Sequence, residues 1–498
     1  MVNFGFVVGF VTRSLNIPDL RDRYMGGLSG RALSLENMDR KISEDGNTTQ
    51  IDDLPDGILS HIVTFLSIQE AVKTSVLSSR WKQVWTATEN LFFCEYELCG
   101  KQRGYKQRKR MVGIIDHVLK FHINRVERFL LDFDPRGFES HVDEWVSFLT
   151  KSGVQEISIN FRREVEGVYL GGHDYELPSR FFDCISLRLL MLKNCIMNVP
   201  LDFKGFNSLR TLFLSDVYIN GDQLSTLVSK CKVLQGLALL YCRDTESFRM
   251  SGPHSQLKNV MICCCLMSLG DIEIDAPSLL HFCFMGCIFG SPVLSVPRLL
   301  DATIISCIEK RPPTIQENPF HKVARSLSKL AHVESLTLAG YFVKTLADAE
   351  VWNALPTSFP NIKELDVGVN LTKSSETRII YHFLESCNNL EKIVLSLNQD
   401  DKELLASQYW DLRKPTYCMA NHLKTVTVTN LEGLVGEIRF VTFLLRHTRK
   451  LENITLSFYE NLRSTVRAKT AMDVLTNVKK VSTDAEMCIK FEDVDADD

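Results

Sequence analysis

The chain has 498 residues, of which 45% are apolar and 24% charged, with 61 acidic side chains against 57 basic for a net charge of −4. At roughly 100 to 200 residues per domain, this is material for two to four domains with sizeable cores. The charge balance excludes a general polyanion binder, so no nucleic acid is expected as a partner. No run approaches the roughly 20 consecutive apolar residues needed to cross a bilayer, so no membrane partner is expected either.

Residues 1–50 are polar and lack sustained periodicity, ending in Ser43-Glu44-Asp45-Gly46-Asn47-Thr48-Thr49-Gln50, which reads as a disordered leader. The 15 cysteines are odd in number and scattered, poor arithmetic for a disulfide framework. Reduced thiols fit a cytoplasmic or nuclear location.

Order is expected from Leu54. Pro55 suits a first helical turn, where its missing donor has no partner, and Asp53 and Asp56 favour the positive end of the helix dipole. Ile58, Leu59, Ile62, Phe65 and Leu66 then fall on one face. Ser67-x-x-Glu70 is a capping box opening a second helix with Ala71, Val72 and Val76. A third helical turn starts near Ser79 and sets Trp81 and Trp85 one turn apart. About 40 residues cannot bury two tryptophans and an aliphatic stripe unaided, so this segment is expected to dock on a partner.

The string Asp53-Leu54-Pro55-Asp56-Gly57-Ile58-Leu59-Ser60-His61-Ile62 through Ser75-Val76-Leu77-Ser78-Ser79-Arg80-Trp81-Lys82-Gln83-Val84-Trp85 closely resembles an F-box. Gly57 departs from the acidic residue common there in plant relatives. The resemblance implies docking to a Skp-type adaptor and, through it, to a cullin in an SCF ubiquitin ligase. It assigns adaptor binding, or its immediate support, to Leu54, Pro55, Ile58, Leu59, Ile62, Leu66, Val76, Leu77, Trp81 and Trp85. The F-box is placed at 51–97.

Lys101 to Arg110 holds six basic residues in ten. It reads as a solvated junction before an amphipathic helix Val112 to Phe121, with nuclear import or anion contact as the functional alternative. Linker and helix together occupy 98–122.

From Val126 the chain repeats L-x-x-L-x-L, with the clearest copies starting at Leu187, Leu209, Leu234, Leu257, Leu279 and Leu299, spaced 22, 25, 23, 22 and 20 residues apart. That is the period of a leucine-rich repeat. Weaker copies start at Val126, Val154, Val333, Ile362, Leu390, Leu423 and Leu451. The repeats are assigned to 123–409. Cys195, Cys242, Cys265, Cys287 and Cys307 share one phase of the repeat and read as a buried ladder of small thiols rather than a metal site.

Alternation along each strand turns the intervening residues outward onto the concave sheet. Among these, Met191, Phe213, Leu240, Met261, His281, Met285, Asp301 and Ile305 form the candidate substrate-binding stripe, with His281 and Asp301 supplying hydrogen bonds; a stripe covered by the chain's own loops is the alternative reading. Thr425, Thr427 and Thr429 make the far end more polar.

Residues 410–483 carry Trp410, Pro415, Cys418, an amphipathic run Ile438 to Leu445 and Leu451-x-x-Ile454-x-Leu456. They resemble the FBD module of plant F-box proteins, with its acidic middle reduced to Glu432 and Glu437, and suit the cap a solenoid needs. Residues 484–498 form an acidic tail.

The expected fold is therefore α/β: a three-helix F-box, then an irregular leucine-rich-repeat horseshoe with an α/β cap. No Gly-rich phosphate loop, nucleophile elbow or paired-Cys zinc pattern occurs, so no catalytic residue, metal or cofactor is assigned. The expected function is a non-catalytic substrate receptor of an SCF-type ligase, binding an unknown target protein. A free repeat scaffold or a small-molecule receptor is the alternative.

Overall fold

The computed structural model describes residues 51–492 except 52–53, 64–65, 67, 96–97, 99–103, 124, 163, 166–167, 170–174, 251–255, 288–291, 307–326, 341, 348–356 and 399–408. The expected leader, the last six residues of the acidic tail placed at 484–498, Phe65, the Ser67 cap, Lys101 to Arg103 and Cys307 lie outside the described residues, while Glu486–Glu492 of that tail is a strand paired with Asn453–Tyr459. What is described divides at residue 245 into two compact units.

In the first unit, α1 (Asp56–Val63), α2 (Ile68–Lys73) and the short α3 (Trp81–Val84) precede strand β1 (Asn90–Cys94). Then follow α4 (Tyr105–Phe121), β2 (Arg128–Asp132), α5 (Glu139–Ser152), β3 (Glu156–Asn160), β4 (Leu189–Ile196), β5 (Thr211–Tyr218), α6 (Gly221–Lys230) and β6 (Gly236–Leu240). The six strands pair in chain order, each parallel to the last. Helix α4 starts seven residues earlier than the apolar pattern predicts. The intervening Lys, Gln and Arg residues are good helix formers, and Arg108 is drawn in by the Arg136 carbonyl at 2.9 Å and the Asp134 carboxylate at 3.2 Å. The expected solvated linker is thus helical from Tyr105 onward.

In the second unit, β7 (Asn259–Ser268), β8 (His281–Cys287), β9 (Asp301–Ser306), β10 (Ser335–Gly340), β11 (Glu364–Val369), β12 (Lys392–Leu397), β13 (Thr425–Leu431), β14 (Asn453–Tyr459) and β15 (Glu486–Glu492) again pair in order and in parallel. Helices α7 (Ser374–Ser386), α8 (Val435–His447) and α9 (Val466–Thr476) fill the longer connections. The shorter connections return instead through strands 248–250, 272–275 and 293–295, which form a separate parallel sheet.

Each of the thirteen repeat starts lies two residues before an observed strand. The fourth and sixth positions of the phrase are core in unit after unit: Phe129 and Leu131, Leu190 and Leu192, Leu336 and Leu338, Ile454 and Leu456 are all buried. Of the fifteen numbered strands two escape the pattern, β1 and β15, because Thr88 and Asp484 stand where the phrase opens on an apolar residue.

The eighth position has its own conformation. Asn194, Asp216, Tyr241, Cys264, Gly340 and Asn430, each seven residues after a repeat start, all adopt positive φ between 51° and 67°. One left-handed residue kinks the chain within or at the end of each of these strands, with register shifts near Cys264 and Asn430, and Cys195, Cys242 and Cys265 follow it into the core. Asn, Asp and Gly tolerate this conformation best; Tyr241 and Cys264 hold it against their own preference.

Opposite charges also line up across the second sheet. Lys363 meets Glu334 at 2.9 Å, Lys424 meets Glu391 at 2.9 Å and Lys392 meets Glu364 at 3.3 Å, each between neighbouring strands or the residues that lead into them. Such exposed pairs add little stability singly, yet a one-residue slip would break all three.

Glu437 anchors the start of α8. Its buried carboxylate accepts N–H bonds from Glu432, Gly433 and Leu434 at 3.1, 2.9 and 2.9 Å. Burial nevertheless pushes its pKa up to about 7, against the pull of those donors. Between the ordinary carboxylate value and 7, the folded chain holds a proton that the unfolded chain has released, so stability falls as pH rises through that window. The wild type is expected to lose stability relative to Glu437→Gln as pH rises from 4.5 to 7, with the difference levelling off above. A wild type that instead gains melting temperature relative to Glu437→Gln over this range would mean that the three donors outweigh burial.

Candidate functional site

The N-terminal helices sort the predicted docking residues into two groups. Leu59 and Val63 from α1, Ile68 and Ala71 from α2, and Trp81, Val84 and Trp85 around α3 are buried together. Arg80 clips the segment closed, contacting the Asp56 carboxylate at 2.6 Å and the Leu54 carbonyl at 2.5 Å. Trp85 stacks on His117 of α4 with ring centroids 6.4 Å apart. Leu59, Trp81 and Trp85 are therefore core beneath a surface and do not present one themselves, so of the two roles assigned to them only the supporting one remains. The reason is size: in so short a segment the tryptophans are the largest side chains on hand to fill the space between three small helices.

The rest remain available. Ile58, Val76 and Leu77 are 49%, 85% and 60% exposed, Pro55 is exposed, and Leu54, Ile62 and Leu66 are half-buried. Ile51, outside the expected docking set, is also exposed. This is a large amount of uncovered aliphatic surface for a segment of some 40 residues, of the kind that accompanies protein binding in general. Gly57 lies on the same helix, and a Cβ added there would meet nothing within 4 Å. Gly57→Ala is accordingly expected to raise stability by about 0.5–1 kcal/mol, visible as a higher melting temperature. Destabilisation would mean that the first turn has a tighter environment than its geometry implies.

The candidate substrate stripe fares differently. In the first unit Met191, Phe213 and Leu240 are buried, and in the second so are Met261 and Met285; His281, Asp301 and Ile305 are half-buried. The expectation of a free apolar gripping surface is corrected for those five. In-register parallel strands set side chains of the same phase against one another about 4.8 Å apart. Met191 lies beside Phe213, Met261 beside Cys283 and Met285 beside Ile305. Lys193 lies over the Phe213 ring at 5.8 Å, and burial lowers its pKa to about 8. Large apolar groups packed in this way are core on both faces of the sheet.

The outward rows of β10 to β14 are more open. Thr337, Asp366, Val394, Thr427 and Thr455 occupy one row and are all half-buried. Asp366 is desolvated enough to titrate near 6, with Lys392 opposing the shift. The same alternation that locates the apolar stripe places Asp366 outward, between Leu365 and Val367, so the signal is present in the sequence.

Nothing in this arrangement resembles a nucleophile with its base. Burial pushes the Cys195 thiol up to about 12, which makes it inert, and Cys195, Cys242, Cys265 and Cys287 carry no disulfide. Among the described residues no group of three or more His, Cys, Asp or Glu side chains could hold a metal ion. No described helix is long and apolar enough to cross a membrane.

Comparison with known proteins matches two family models. The F-box domain covers residues 51–93, and the At1g61320/AtMIF1 leucine-rich-repeat domain covers 118–490, about three quarters of the chain. Among Arabidopsis thaliana relatives, the chain is 24% identical to F-box/FBD/LRR-repeat protein At1g13570 over 82% of its own length and 90% of the relative's. It is 28% identical to putative F-box/FBD/LRR-repeat protein At5g22670, covering 81% and 89% of the two chains. It is 24% identical to putative F-box/FBD/LRR-repeat protein At5g44950, covering 86% and 97%.

Proposed function

Because the chain belongs to the plant F-box/leucine-rich-repeat family, we propose that it is the substrate-recognition subunit of a cullin-based SCF ubiquitin ligase. F-box domains bind Skp-type adaptors, and in this reading the exposed face of α1 and the Val76–Leu77 corner is where the adaptor sits. The observation that carries the reading is the division of labour in that segment: Leu59, Trp81 and Trp85 hold it together while Ile58, Val76 and Leu77 are left uncovered.

The repeats would then hold a target protein. The receptor itself transfers nothing; it raises the effective concentration of a target lysine near a charged conjugating enzyme held elsewhere in the assembly. Burial of the apolar stripe favours target contacts through the polar outward rows of the later strands over contacts through methionines. A cytoplasmic or nuclear location goes with this role and with the absence of disulfides among the described cysteines.

Purified full-length protein mixed with a plant Skp-type adaptor is expected to co-elute with it on size exclusion, and the pair to recruit a cullin. A folded chain that elutes alone with every adaptor tried would overturn the reading and favour a free repeat scaffold.

A further inference from the structure

Helix α4 carries a second uncovered surface, of opposite character to the F-box face. Its buried side is Met111, Val112, Ile115, Val118 and Leu119. The opposite side, at helical spacing, is Lys106, Lys109, Arg110, Gly113, His117 and Lys120, every one of them exposed. From Lys106 to Lys120 the stripe runs about 21 Å along the helix. Arg108, one step out of this phase, is consumed internally by Asp134 and the Arg136 carbonyl. Lys106, Lys109 and Arg110 form no ion pair with any described residue. Gly113, at the centre, has open space around its Cβ position, which leaves the helix backbone itself approachable. At its far end the stripe meets the F-box through the stack of His117 on Trp85.

We infer that this face of α4 is a docking surface for an acidic segment of a partner protein, laid along the helix with its carboxylates against Lys106, Lys109, Arg110 and Lys120. Among possible occupants the charge of the stripe selects an anionic one. Its width, a single helix face, fits one polypeptide segment. A nucleic-acid backbone suits it less: the neighbouring α5 exposes Glu139 and Glu144, and the chain as a whole is net negative. An extended nuclear-import signal does not suit it either, because residues 105–121 are wound into helix. The surface is independent of adaptor docking, so either proposal can fail without the other.

The test uses the full-length protein and a fluorescein-labelled, alanine-based peptide of 16 residues bearing four glutamates. Binding is read by anisotropy at two salt concentrations. Lys106→Glu with Lys109→Glu and Arg110→Glu is expected to weaken binding about tenfold or more, with the far-ultraviolet circular dichroism unchanged. Gly113→Trp, which alters no charge, is expected to weaken it about fivefold or more by blocking approach to the helix. Peptide binding that Gly113→Trp leaves intact would reduce the effect to diffuse attraction and overturn the proposal. So would tighter binding of a single-stranded oligonucleotide, or of vesicles containing an anionic phospholipid, than of the peptide.

Discussion

Ile58→Asp combined with Leu77→Asp is expected to abolish capture of a Skp-type adaptor, weakening binding by about two orders of magnitude or more, without unfolding the chain. Both side chains are about half or more exposed in the isolated protein, at 49% and 60%, so charging them costs the fold little. Seated in a partner's apolar pocket, the same carboxylates would be desolvated without a counter-charge, and central anchors typically contribute about 2 kcal/mol or more each. Trp81→Ala supplies the contrast. Trp81 is 2% exposed, and its removal should cost about 3–5 kcal/mol of stability, so it would lose adaptor binding only by melting the segment. Measuring pull-down beside melting temperature separates the two. If the double aspartate variant retains full capture, Ile58 and Leu77 do not form the docking face.

Gly340→Ala should be the most damaging single methyl group in the second unit. Gly340 has φ +67°, and a Cβ there would lie 2.1 Å from the carbonyl oxygen of Ser306, its partner across the β9–β10 pair. Backbone cannot yield as a flexible side chain can, so the strands must part or the residue must leave the left-handed region, at a cost of about 3 kcal/mol or more. Gly113→Ala, on the open face of α4, is expected instead to stabilise by about 1 kcal/mol. The two substitutions add the same atoms, and a urea titration of each should move the midpoint in opposite directions. Equal midpoints for wild type and Gly340→Ala would show that the β9–β10 edge adapts without strain.

The repeat starts are legible because each strand's burial is decided by its own alternation. Leu190 and Leu192, or Leu395 after Ile393, announce an inward face whatever lies beyond. Strands β1 and β15 are harder to see only because Thr88 and Asp484 replace the opening apolar residue, although Leu91 and Phe93, or Met487 and Ile489, keep the rest of the phrase. Helix α4 outruns its apolar pattern because its first turn and a half is polar, and what completes it is a contact with Asp134, remote in sequence. The left-handed eighth position is barely visible in the chain: Asn194, Asp216, Gly340 and Asn430 hint at it, while Tyr241 and Cys264 conceal it.

By itself, the sequence determined that a three-helix F-box precedes parallel strands, where thirteen of the fifteen begin, and which of their residues point into the core. Only the tertiary structure decided which apolar residues remain free. Ile58 and Leu59 are neighbours of similar hydrophobicity, yet one is half exposed and the other fully buried. Met191 and Met261 point outward by phase and are buried all the same. Alternation and helical period are local properties of the chain, whereas exposure depends on what distant segments bring alongside, and no local pattern carries that information.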